Sequence, residues 1–408
     1  MHSITKRLLT VGTAVAISLV GFAPATPAQA KALPANVASL SRTAKAANWL
    51  AAHSATADDG YVYQIYNVTG LAALSTDATA ATLRTRVKEL RSRAAAAVAA
   101  KPTTAPYLAI LADAMHLNPA KFGGVNLVST INTSITNGDY SYAYGQALAI
   151  IALKRSGATV PSSLISDLLA GQAASGTDAG AFGYTWGGAF IADPDSTALA
   201  IQALDVVGKT KYAAQVKSAA SWAKRTQTSA GNWDAYSPVD STALMASAFK
   251  TVKAATYKTL KLSSRYALAY KWIKGKQLSN GGFPGATADA DLMATFDAGF
   301  LLTGKAWSTF SYKLRHFSKL TKPTITGTKK VGSTLTAKLP GWKPKVVAST
   351  TVSYRWLRAG KAITGATAAT YTLTSADAGK RLRVLVTVSE VGLVKVVKTS
   401  TPTKKISA

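Results

Sequence analysis

Gln227-Thr228-Ser229-Ala230-Gly231-Asn232-Trp233, with Asp240-Ser241-Thr242-Ala243-Leu244-Met245-Ala246 close behind it, is the stretch that decides the fold. It joins a basic segment ending in glutamine, a glycine-aromatic turn, an aspartate and an Ala/Leu-rich helix. Gln277-Leu278-Ser279-Asn280-Gly281-Gly282-Phe283 repeats it before Asp289 and Asp291, and Gly60-Tyr61, Gly138-Asp139-Tyr140 and Gly180-Ala181-Phe182 mark further turns. The aromatics at 140, 182, 233 and 283 are 42, 51 and 50 residues apart. A period of that size means one supersecondary unit copied and stacked, because a single hairpin cannot bury its own apolar face.

Six helix pairs follow from the pattern. The first members, near 37–53, 79–100, 119–136, 161–173, 211–227 and 264–277, carry most of the lysines and arginines and show one wet face. Their partners, near 64–75, 104–115, 141–155, 195–207, 240–253 and 290–303, are apolar nearly all round and belong inside. Six wet and six dry helices in strict alternation close most simply into an (α/α)6 toroid over 31–305. Pro161, Pro194, Pro238 and Pro284 fall at or before helix starts, and Gly157, Gly208 and Gly304 after inner helices, as those residues prefer.

After Gly304 the pattern stops. Residues 306–322 read as a basic linker, and from Pro323 the chain alternates with period two: Val352, Tyr354 and Trp356 share one face, Leu382, Val384, Val386 and Val388 another. The expectation for 323–408 is a small antiparallel β-sandwich. The fold class expected overall is multidomain, all-α followed by all-β.

Lys6 and Arg7, the apolar run Leu8 to Phe22 and Ala28-Gln29-Ala30 read as a secretory signal peptide over 1–30. The expected location is therefore outside the cell or at its surface, with no membrane span later in the chain. There are no cysteines, so disulfides and thiolate zinc sites are excluded. No metal site and no cofactor is implied. The net charge is +29, and residues 321–408 hold sixteen Lys/Arg against Asp377 and Glu390. A field of that density draws polyanions. In an exported protein that favours an anionic envelope polymer or polysaccharide as partner, with nucleic acid the weaker expectation.

Gln227 to Trp233 fits the Q-x-x-x-G-x-W repeat, Gln277 to Phe283 fits it with Phe for Trp, and Gln172 to Phe182 fits with a longer spacer. These residues resemble the terpenoid cyclase and protein prenyltransferase toroids. The resemblance implies a glutamine that caps the outer helix and stacks on the turn aromatic. It implies no single activity, since such toroids serve cyclases, prenyltransferases, thioester proteins and cobalamin carriers. Val331-Gly332-Ser333-Thr334-Leu335, Tyr354-Arg355-Trp356 and Tyr371 to Gly379 resemble the immunoglobulin-like modules of secreted actinobacterial proteins, with Leu382 where a corner tyrosine stands and no disulfide.

The acids of the toroid gather in the turns that open inner helices: Asp58, Asp59, Asp139, Asp178, Asp193, Asp195, Asp240, Asp289 and Asp291. Inner helices run parallel, so these turns meet at one rim with Tyr140, Tyr142, Tyr184, Trp186 and Tyr236. The expectation is a mouth suited to a glycan or small cationic molecule, with ligand-binding candidates Tyr140, Tyr142, Tyr184, Trp186, Asp193, Asp195, Tyr236, Asp240, Asp289 and Asp291. Helix capping is the competing role for Asp195, Asp240 and the 289/291 pair. Trp233 and Phe283 read as structural. Asp193-Pro194-Asp195-Ser196 resembles the D-x-D-D acid of class II terpene cyclases but ends in serine, and prenyltransferase zinc ligands have no counterpart. Asp193, Asp195 and Asp240 are the catalytic candidates should the chain be an enzyme, as a polysaccharide lyase or hydrolase or a cyclase. The favoured expectation is a secreted, envelope-associated binding protein.

Overall fold

The computed structural model describes residues 40–53, 60–318, 321–339 and 350–408. The expected signal peptide, Asp58 and Asp59 lie outside them. The chain divides into two compact units, Met1–Tyr312 and Lys313–Ala408. The first is helical, the second built of antiparallel sheets. Among the described residues no helix is long and apolar enough to cross a membrane.

The wet helices are α1 (Arg42–Ala52), α3 (Ala80–Ala100), α5 (Leu127–Thr136), α7 (Ser162–Ala170), α9 (Ala213–Thr226) and α12 (Leu262–Lys276). Alternating with them are the dry helices α2 (Tyr61–Leu74), α4 (Ala105–Ala114), α6 (Ala143–Arg155), α8 (Pro194–Gly208), α10 (Pro238–Phe249) and α13 (Leu292–Thr303). A short α11 (Ala254–Thr259) follows α10. Local chemistry sets the boundaries. Ser41 and Asn126 side chains accept the Ala44 and Ser129 N–H groups at 3.2 and 3.1 Å, and Gly304 ends α13 at φ +67°.

The dry helices form a continuous series of neighbours. α2 packs on α4, α4 on α6, α6 on α8, α8 on α10, α10 on α13, and α13 returns to α2. Burying helices on all sides needs close approach, and alanines such as Ala147, Ala198, Ala200 and Ala243 supply it. At the return seam the fit relies on glycine. A Cβ at Gly70 would lie 2.7 Å from Leu50 and 3.4 Å from Phe296, and one at Gly299 would lie 3.4 Å from Leu74.

Three repeated turns staple one wet helix to the next: α7 to α9, α9 to α12 and α12 to α1. Gln172 Nε2 donates to the Gly180 and Gln215 carbonyls, both at 3.0 Å. Gln227 Nε2 donates to Gly231 and Arg265, both at 2.9 Å. Gln277 Nε2 donates to Gly281 at 3.0 Å and to Arg42 at 2.9 Å, so the last wet helix is tied to the first. The turn glycines have φ of +94°, +105° and +95° and press on the neighbouring helix backbone. A Cβ on Gly281 would sit 2.6 Å from the Lys45 carbonyl. The residue after each Gly or Gly-x is anchored inward: the N–H groups of Phe182, Trp233 and Phe283 donate to Thr197, Thr242 and Thr295 hydroxyls at 3.0, 3.1 and 2.9 Å. Gly281→Ala, strained in φ and blocked by Lys45, is expected to destabilise the helical unit by more than about 2 kcal/mol. Denaturant unfolding reads this directly, and a loss under about 0.5 kcal/mol would mean that α12 and α1 are not in contact.

The segment after α13 is a closure, not the connector expected from the sequence. Residues 306–312 lie within the first unit, and Trp307, Phe310 and Tyr312 are about 1 % exposed or less. The segment crosses the C-terminal ends of the dry helices. Lys305 Nζ donates to Ala73 of α2 at 2.5 Å, the Tyr312 N–H to Ala114 of α4 at 2.9 Å, and the Ser308 N–H to Gln202 of α8 at 3.1 Å. Arg155, at the end of α6, donates to Trp307 and Phe310 carbonyls at 3.0 and 2.7 Å and pairs with Asp113 at 2.7 Å.

In the second unit, β5 (Thr324–Thr326), β6 (Thr334–Lys338) and β9 (Thr370–Thr372) form one sheet in the order β5-β6-β9. β7 (Thr351–Arg358), β8 (Lys361–Ala362), β10 (Leu382–Ser389) and β11 (Val396–Thr399) form another, ordered β11-β10-β7-β8. Trp356 lies opposite Val384 in register, and Leu335, Ala337, Trp356, Leu373, Val384, Val386 and Val388 from both sheets share one core. Trp356 is fully buried, its Nε1 donating to Ala368 at 3.0 Å. The alternation seen in the sequence thus marks faces turned to a common interior.

Candidate functional site

The C-terminal ends of α2, α4 and α6 meet the 305–312 segment, so the N-terminal ends of these helices point the opposite way. Each dry helix contributes one polar side chain to a single ring, from the first turn of α4, α6, α8 and α10 and from midway along α2 and α13. Tyr66 of α2, Tyr107 of α4 and Tyr144 of α6 form one half; Asp195 of α8, Asp240 of α10 and Asp297 of α13 form the other. The Tyr66 and Tyr144 hydroxyls are 3.2 Å apart, and the Tyr66 and Tyr107 rings meet edge to face at 5.5 Å. The charges of Asp240 and Asp195 act on Asp297, and that of Asp297 acts on both Tyr107 and Tyr144, which joins the two halves. Beneath the ring, Trp307 packs on Tyr66, Tyr107, Phe296 and Phe300 with centroids 5.2–6.0 Å apart. It forms an aromatic floor.

Asp240 and Asp297 are 9 % and 6 % exposed. Asp195, Tyr107 and Tyr144 lie deep in the unit yet keep part of their accessible surface. One carboxylate oxygen on each of Asp195, Asp240 and Asp297 has no hydrogen-bond partner among the described residues. No lysine or arginine pairs with any of the three there. Burial pushes the Asp195 carboxyl up to about 7, and the charge of Asp193 adds to the rise. Burial, then the charges of Asp291 and Asp195, holds Asp240 well above the carboxylate range. Asp297 is raised by burial and by Asp240, Asp195 and Asp291. Such carboxyls keep their protons at a pH where exposed ones are ionised.

Capping falls on Asp193 in place of Asp195, and on Asp291 of the 289/291 pair; no side chain caps α10. Asp193 caps α8, accepting the Ser196 N–H at 2.8 Å, and Asp291 caps α13, accepting the Ala294 N–H at 2.9 Å. Pro194 opens α8 one residue before Asp195, and Pro238 opens α10 two before Asp240, so both acids sit inside the first turn and are free of capping duty. Asp193→Ala is therefore expected to cost about 1 kcal/mol through the lost cap, whereas Asp195→Ala removes a buried charge and raises stability at neutral pH. Paired urea titrations of the two variants read these opposite signs.

The other predicted residues spread around the rim. Tyr184 and Trp186 lie on a hairpin of β1 (Gly183–Trp186) and β2 (Ala189–Ala192), turned by Gly187 and Gly188 at positive φ. Tyr142, 43 % exposed, meets Tyr184 edge to face at 6.1 Å. Asp291 belongs to a smaller hairpin, β3 (Phe283–Pro284) with β4 (Ala290–Asp291). Three candidates stand apart from the ring: Tyr140 is buried in the core, and Asp289 and Tyr236 are exposed, Tyr236 to 78 %. Trp233 and Phe283 are buried, Trp233 donating to the Ala223 carbonyl at 2.9 Å. Sequence reasoning missed Asp297 and the three tyrosines. The signal for Asp297 was a single acid inside Phe296-Asp297-Ala298-Gly299-Phe300, an otherwise apolar helix.

No protein-family model matches this chain, and no curated protein matches it. What the ring can do is set by its own chemistry. Among the described residues no group of histidines and acids has the arrangement to hold a metal ion. A half-ring of carboxyls facing a half-ring of tyrosines can bind a polar or cationic group from both sides, and Asp195 can hold or release a proton near neutrality.

Proposed function

We propose that the chain is a secreted, envelope-associated binding protein: an (α/α)6 toroid that holds a small ligand at its mouth, joined to an immunoglobulin-like module that engages an anionic wall polymer. The toroid reading is supported by the closed series of dry-helix contacts and by the Gln277–Arg42 staple. Two sheets sharing a core around Trp356 support the immunoglobulin-like one. The observation that carries the ligand reading is the ring itself, with three unpartnered carboxylate oxygens over an aromatic floor. Unpaired buried carboxyls cost stability, and a site that binds something through them gives that cost a use.

The tether rests on charge placement. Asp377 is fully buried and paired with Arg358 at 2.6 Å, and Glu390 is buried and accepts from Thr350 at 2.9 Å. Neither acid of the second unit offsets its surface, where Lys330, Lys361, Lys398, Lys404 and Lys405 are exposed and Lys329 is half-buried. Retention of the full chain on purified anionic cell wall should fall at least about tenfold between low and high salt. Neutralising Lys329, Lys330, Lys398, Lys404 and Lys405 to Gln should do the same at low salt. Retention indifferent to both changes contradicts the tether. A second reading, acid catalysis on a polysaccharide or isoprenoid, is favoured by Asp195 alone, whose proton is available near neutrality. Turnover abolished by Asp195→Asn would select it.

A further inference from the structure

We propose that the Tyr66/Tyr107/Tyr144–Asp195/Asp240/Asp297 ring is a site for a small organic cation bearing a quaternary ammonium group. The inference rests on the ligand-binding reading above and adds the charge of the ligand.

Three features point to a cation over a neutral polyol or an anion. First, the negative half has no built-in counter-charge among the described residues, and Asp240 and Asp297, each more than nine-tenths buried, keep an oxygen without a partner. Second, the opposite half and the floor are aromatic. Tyr66 is the hub, in contact with Tyr107, Phe296 and Trp307 at centroid distances of 5.5, 5.3 and 6.0 Å. Aromatic faces beside carboxylates are the usual surroundings of a bound ammonium group. Third, an anion would find no lysine or arginine paired with the ring among the described residues, and its charge would oppose ionisation of the carboxyls that a cation favours.

The proton balance follows from the groups that face the ring. From α8 these are Asp193 and Asp195, from α10 Asp240 with Ser237, from α13 Asp291 and Asp297, and from α2, α4 and α6 the three tyrosines, which burial keeps neutral. An empty ring holds protons on its carboxyls near neutral pH. A cation entering it makes the ionised form favourable, so one carboxyl O–H bond breaks and its proton leaves to solvent as the cation binds. Affinity therefore rises with pH.

Isothermal titration calorimetry of the full chain tests this with choline, its uncharged isostere 3,3-dimethylbutan-1-ol, and myo-inositol. Each is titrated at about pH 6 and about pH 8, in two buffers of different ionisation heat. The expected result is choline binding at least about tenfold tighter than the isostere, tightening toward the higher pH, with proton release in both buffers. Asp240→Asn and Asp297→Asn, with melting curves confirming that they fold, should each weaken choline by about tenfold or more. Equal binding of the isostere, or binding of myo-inositol without proton release, overturns the cation while leaving the ligand-site reading intact. Choline binding unchanged in both variants overturns the assignment to this ring. No binding of any of the three by protein that melts normally overturns the cation, and a screen of larger glycans then decides the broader reading separately.

Discussion

Trp307→Ala is expected to destabilise the helical unit by about 3–5 kcal/mol, among the largest losses a single substitution can cause. The side chain is fully buried and touches four aromatic rings, from α2, α4 and α13. Its removal opens a void below Tyr66 and Phe296, where the neighbouring helices α4, α2 and α13 pack around it. The carbonyl of Trp307 is also one of the two acceptors that fix Arg155. A residue in a solvated linker would instead change stability by less than about 0.5 kcal/mol. Urea unfolding separates these cases without ambiguity, because the chain has no disulfides to confuse the transition.

The second large effect is a gain. Asp297→Asn should stabilise the protein by roughly 1–3 kcal/mol at about pH 8 and change it little near pH 4. In the unfolded chain an aspartate titrates near pH 4, whereas in the fold burial brings Asp195 to about 7, burial with Asp291 and Asp195 holds Asp240 well above the usual range, and burial with Asp240, Asp195 and Asp291 does the same to Asp297. Between those limits the native state binds more protons than the unfolded state. The contribution of these carboxyls to stability is thus complete below about pH 4 and is lost as pH rises through the folded values, at up to about 1.4 kcal/mol per pH unit for each group. Asparagine fills the same volume and has no charge to desolvate. Unfolding free energies measured across that range should show the wild-type curve falling more steeply than the variant's. Parallel curves would mean that Asp297 is not buried among other acids.

Which parts of this could be read from the chain follows from the range of the forces involved. Helices α8 and α10 were evident because an apolar surface that wraps all round is a local pattern, and Pro194 and Pro238 mark where they start. The glycines of the repeated turns were evident for the same reason, although their physical role is close approach to the next helix as well as positive φ. Gln277 was recognised through its motif, yet its second bond, to Arg42, spans almost the whole unit and no local pattern announces it. Trp307 was misplaced because nothing around it is periodic: its burial depends on Arg155, Gln202 and Ala114, each supplied by a different helix. Asp195 and Asp240 were named as candidates but credited with capping, since a first-turn position and a cap differ by one or two residues and by the direction of the side chain. Asp297, Tyr66, Tyr107 and Tyr144 become neighbours only when six helices converge.

The convergence is best tested by following the aspartate carboxyl carbons by NMR as pH is varied, in the wild type and in Asp240→Asn. The ring predicts that Asp195, Asp240 and Asp297 have midpoints well above the ordinary carboxylate range and that Asp240→Asn lowers the midpoint of Asp297, by removing a neighbouring charge. Three carboxyls titrating independently near pH 4, untouched by the substitution, would contradict it.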